Sequence, residues 1–102
     1  MGKNNAIKSL SKIIANIALH KLVFAHTNKP ESKHFLESEI IEYRSVAQNT
    51  ALKFNWNDFD KKKIYEFSLK ILKDEKNTKY SDVEFSDKEA ELILSETIND
   101  LL

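Results

Sequence analysis

Cysteine is absent from this 102-residue sequence, and glycine and proline each occur once. Without cysteine there can be no disulfide framework, no thiolate zinc site and no cysteine nucleophile. A single glycine, Gly2, cannot build a glycine-rich phosphate loop, and so few turn residues cannot punctuate a multi-stranded β fold. A long hydrophobic run is missing as well. The apolar stretch at residues 13–25 is too short for a membrane span and is interrupted by Asn16, His20 and Lys21. No charged-then-apolar signal peptide opens the chain, so a soluble, cytoplasmic protein without a membrane contact is expected. What remains is rich in Lys, Glu, Leu, Ile and Ser, the composition of helices. The expected fold class is all-α, as a four-helix bundle or an irregular four-helix array in a single domain spanning residues 1–102.

Net charge is zero, with sixteen basic and sixteen acidic residues, but it is unevenly spread. Residues 1–30 hold Lys3, Lys8, Lys12, Lys21 and Lys29 and no acid. Residues 81–102 hold seven acids and only Lys88. Opposed patches of this kind favour the first and last helices as neighbours, or alternatively give each end a partner.

Periodicity predicts helices over about 5–26, 31–54, 58–75 and 87–101. The first is unusual. Ile7, Leu10, Ile13, Ile14, Ile17 and Ala18 share one face, while Leu19, Leu22 and Val23 fall on the other. In "IIANIALHKLVFAH", residues 13–26, the helix is apolar nearly all round and carries no acid. Either its own chain wraps it, or the second face meets another molecule. Helices in so short a chain commonly expose one side, so Leu19, Leu22, Val23 and His26 are assigned to an interface, and self-association through helix 1 is expected.

The second helix presents Leu36, Ile40, Tyr43 and Ala47 at three- and four-residue spacing, widened by Phe35, Ile41 and Val46. The third turns Ile64, Phe67, Ile71 and Leu72 inward. Thr27, Asn28, Lys29 and Pro30 break the first helix from the second. Asn57 is placed to cap the third, and Ser86 with Glu89 forms a capping box for the fourth. Between them, "YSDVEF" (residues 80–85) reads either as a short extended segment or as a helical turn.

Candidate chemistry is sparse. Glu31 and His34 form one Glu-x-x-His step of the kind that helical bundles pair to hold two metals, but no second step follows. His26 and His34 flank the first turn, with Glu37 one helical turn further on, so a small metal-binding or catalytic bundle using His26, His34, Glu31 and Glu37 is the alternative function. His20 and His26 point about 120° apart on one helix and cannot chelate together. No cofactor is expected. "YRSVAQN" shares only Arg44 with the Arg-x4-His motif of HEPN ribonucleases, because Asn49 stands at the histidine position. Lys61, Lys62 and Lys63 could touch phosphate, but zero net charge and an acidic last helix argue against a nucleic-acid partner.

Phe54, Trp56 and Phe59 surround the second break and form a candidate aromatic binding corner, or a plug that closes the bundle. The leading expectation is a non-enzymatic protein–protein interaction module, an adaptor, regulator or inhibitor, whose partner is another protein or a second copy in a homodimer. "VEFSDKEAELI", residues 83–93, ahead of a last helix, is similar to the short helical layout of bacteriocin immunity proteins, a resemblance that also covers length and helix count. It implies an immunity-like protein as a further alternative.

Overall fold

A computed structural model of the chain describes residues 2–27 and 29–102. It contains four helices, α1 (Lys3–His26), α2 (Pro30–Ala51), α3 (Asp58–Lys79) and α4 (Asp87–Leu101), and no strand among the described residues. The expected all-α four-helix bundle is the observed architecture. Each boundary has a local cause. Pro30 sits in the first turn of α2, where its missing N–H costs nothing. Asn57 and Asp60 cap α3 reciprocally, each side chain accepting from the other's backbone N–H. Ser86 Oγ accepts from the Glu89 N–H at the start of α4, 3.1 Å away. The return half of that box is missing because the Glu89 carboxylate is engaged by His26 instead.

Three boundaries differ from the sequence expectation. α1 begins two residues early, at Lys3. α2 stops at Ala51 rather than near residue 54, since the Trp56 indole N–H donates to the Ala51 carbonyl and turns the chain there. α3 runs on to Lys79, through what reads as a polar linker, with Glu75 and Lys79 paired along its last turn. The following "YSDVEF" is neither strand nor helix but a turn closed by the Val83 N–H on the Tyr80 carbonyl, then irregular chain. Of the first break, Thr27 and Lys29 lie between α1 and α2; Asn28 lies outside the described residues.

α1 is the central element. It touches α2, α3 and α4, whereas no Cα of α2 comes within 8 Å of α3. α3 runs parallel to α1: Lys3 pairs with Asp60, Ser68 Oγ donates to the Ser11 carbonyl at 3.1 Å, and His20 meets Tyr80. α2 and α4 run antiparallel to it, as Lys33 over Phe24 and His26 against Glu89 show. The basic start and acidic end of the chain therefore do lie side by side, with Lys21 also donating to Thr97.

This arrangement answers what buries "IIANIALHKLVFAH". Leu19, Leu22 and Val23 are 1%, 2% and 4% exposed within their own chain. Tyr80, Val83 and Phe85 of the irregular segment pack against the core, with the Tyr80 ring at His20 and the Phe85 ring at His26. Leu19, Leu22 and Val23, assigned from the sequence to a subunit interface, are thus interior to their own chain, and residues 80–85, a segment whose short apolar pattern carries no periodicity to announce it, supply part of the cover, with Tyr80 and Val83 beside Val23. Four residues expected inward are instead exposed, namely Phe35, Ile41, Val46 and Phe67. They lie at the edges of their helices, beyond the reach of a core centred on α1.

Candidate functional site

Because α2 and α3 flank α1 with no Cα of one within 8 Å of the other, the side of α1 between them is roofed only in part. Three cavities, of about 330, 400 and 310 Å3, follow one another along this side. On α1 they are floored by Asn5 and Ser9, then Lys12, Asn16 and His20, then Val23. Those positions advance by three or four residues each time, so they form one stripe of the helix, and the cavities along it are taken together as a groove. Its floor changes character along the way. The first half is polar and open, and the second half is the apolar surface that Tyr80 and Val83 cover.

The banks carry the exposed apolar side chains. Phe35 lines two of the cavities and is 60% exposed, while Thr50, Lys53 and Phe54 border the first cavity. Val46, 48% exposed, shares the α2 edge with Phe35, three turns along. On α3, Glu91 of α4 approaches Tyr65, so the edge bearing Tyr65 faces α4. Phe67, 42% exposed, lies on the opposite edge, and the α3 residues that line the cavities are Glu75 and Lys79.

At the groove's middle sits His20, a residue that sequence reasoning treated only as a poor chelating partner for His26. It is buried, its ring stacked on Tyr43 at 5.6 Å and met edge-on by Tyr80 at 6.2 Å. Its Nδ1 is 2.6 Å from the Asn16 carbonyl oxygen, which can only accept, so Nδ1 carries the proton. Burial raises the Tyr43 phenol above its ordinary value, with the Glu39 carboxylate adding to the effect, so Tyr43 stays a neutral donor. A histidine set in an apolar helical run was the one available signal for this site.

The other candidate residues are dispersed. His26 Nε2 lies 2.8 Å from Glu89 and its ring rests by Phe85, which ties the end of α1 to the first turn of α4. Glu31, His34 and Glu37 are exposed on α2. Among the described residues no group of three or more His, Cys, Asp or Glu is placed to hold a metal ion. The aromatic corner is half assembled. Phe54 and Trp56 meet at 5.6 Å, and both lie against a cavity of about 710 Å3 that also borders Leu52, which is 85% exposed. Phe59 is not part of it; it faces solvent on α3 beneath the Lys63 ammonium. Its place in the first turn of α3 leaves it 65% exposed, away from the corner. Arg44 forms an ion pair with Asp100 at 2.6 Å, joining α2 to α4.

Among the described residues no helix is long and apolar enough to cross a membrane. The fold and groove define an open four-helix bundle centred on its first helix. No protein-family model matches the chain, and comparison with curated proteins and with solved structures returns no significant match.

Proposed function

We propose that this protein is a non-enzymatic helical interaction module, an adaptor, regulator or inhibitor that binds another protein through its surface. The observation that carries this reading is the opening along α1 between α2 and α3, where Phe35 lines two cavities and stays 60% exposed, while Val46 and Phe67 are further large apolar side chains that the core leaves uncovered on those two helices. Isolated surface apolar residues need no explanation, but an exposed aromatic side chain on the rim of a cavity is the usual make-up of a docking surface. Leu19, Leu22 and Val23 are interior and His26 is turned to Glu89, so on this reading a partner meets the groove's rim and not Leu22.

Quantitative co-purification from the host cell tests the reading. The double variant Val46→Glu/Phe67→Glu should lose a protein that wild type retains, whereas Leu92→Glu, on the outer face of α4, should keep it. Equal recovery by all three proteins would remove the groove from consideration.

A further inference from the structure

We infer that residues 80–85 are a strap that opens while the four helices stay folded, and that its opening enlarges the apolar surface around Phe35 by uncovering Val23 and Leu36; this goes beyond the interaction-module reading and does not rest on it. Little holds the segment in place. Among the described residues, the only hydrogen bond made by residues 81–85 is that of the Val83 N–H to the Tyr80 carbonyl, 3.0 Å away and internal to the segment. Ser81, Asp82 and Glu84 are exposed and make neither a hydrogen bond nor an ion pair, which leaves their backbone groups to water. The connection between α2 and α3, residues 52–57, is tied down by contrast. There the Trp56 indole N–H donates to the Ala51 carbonyl, and Asn57 shares its capping box with Asp60.

Packing points the same way. Three half-buried side chains, Tyr80, Val83 and Phe85, attach the segment to the core. Tyr80 meets His20 edge-on at 6.2 Å, and Phe85 lies 6.4 Å from His26, centroid to centroid. Cavities flank the segment on both sides, about 310 Å3 beside Tyr80 and Val83 and about 190 Å3 beside Phe85. Each void removes contacts that would hold a close-packed cover shut. What lies beneath is interior: Val23 is 4% and Leu36 3% exposed, and both line the larger of these cavities together with Phe35. The hinges are already built. The Tyr80 N–H on the Lys76 carbonyl ends α3 and Ser86 caps α4, bonds that a swing of the chain between them keeps. A segment with so few contacts and so little backbone pairing opens far more often than the whole domain unfolds.

The sequence has no cysteine, so a single introduced thiol reports exposure at one position. Val23→Cys and Ala18→Cys, the second at a position 0% exposed that lines neither of the cavities beside the segment, are labelled in the folded full-length protein. The reagent is a maleimide dye larger than the 310 Å3 cavity, and each rate is normalised to that of the urea-unfolded chain. Val23→Cys should react at least about tenfold faster than Ala18→Cys and depend less steeply on urea, as an opening that exposes little surface does. Leu36→Cys, beneath the same strap, should behave as Val23→Cys does. Adding Ser68→Ala, which loosens α3 from α1 in the closed and open forms alike, should speed Ala18→Cys about fivefold and leave Val23→Cys unchanged. Equal normalised rates with equal urea slopes, or an equal response of both variants to Ser68→Ala, would overturn the inference, because Val23 would then be reached only by global unfolding. Should Ala18→Cys not fold, Ala15→Cys, at a position 1% exposed, serves in its place.

Discussion

Truncating Leu22 separates a central helix from an interface helix in one measurement. Leu22 is 2% exposed and lies in the half of α1 that α3, α4 and residues 80–85 enclose. Leu22→Ala deletes buried methyl groups and leaves a void that close-packed neighbours fill only in part, a loss of about 3 kcal/mol. A domain of this size has a total stability of roughly 5–15 kcal/mol, so the folded state survives, but the midpoint of thermal unfolding should drop by about 10–20 °C. Circular dichroism at 222 nm during heating gives that midpoint, and light scattering on the same samples gives the solution mass. The expected result is the large thermal shift with the mass unchanged. A drop below about 3 °C accompanied by a lower mass would refute the argument, because it would place Leu22 between molecules and not within one.

Ser68→Ala removes the hydroxyl that links α3 to the Ser11 carbonyl deep in the core, and should cost about 1 kcal/mol, measurable by urea unfolding as a lower midpoint at unchanged slope. Tyr43 titrates above the ordinary tyrosine value, chiefly through burial and then through Glu39. Its contribution to stability is therefore complete below the ordinary tyrosine range and is lost as pH rises through the raised value. Glu39→Gln should bring the 295 nm phenolate signal of Tyr43 to lower pH, and an unmoved signal would show that Glu39 does not act on it. Asp60 behaves in the opposite sense. Lys3, followed by the Asn57 backbone N–H, holds its carboxyl below the usual aspartate value against the opposing effect of burial. That stabilisation is present above the ordinary aspartate value and disappears as pH falls through the lowered one. Lys3→Met should raise the Asp60 titration midpoint seen by carboxyl 13C NMR; no change would mean that the α1–α3 ion pair contributes nothing in solution.

Helix count, order and most caps were readable from local signals. Asn57 with Asp60, Ser86 and Pro30 act through groups within three residues of one another, so their effect needs no tertiary context. The inward stripe of α4, Ala90, Leu94 and Ile98, is likewise a matter of spacing alone. Phe35, Val46 and Phe67 look inward on a helical wheel because the wheel records only angle. Whether an edge residue is covered depends on where the neighbouring helices stand.

The double-faced character of residues 17–25 was written in the chain from the start, and it required that something bury both sides. What covers the second side was decided by the fold, since Tyr80, Val83 and Phe85 come from a segment without periodicity that lies far along the sequence. The groove shares that origin. Composition and periodicity determine that Asn5, Ser9, Lys12 and Asn16 make one polar stripe. Only the absence of contact between α2 and α3 turns the stripe into the floor of an open trough, because a helix's exposed side becomes a site through the elements standing beside it.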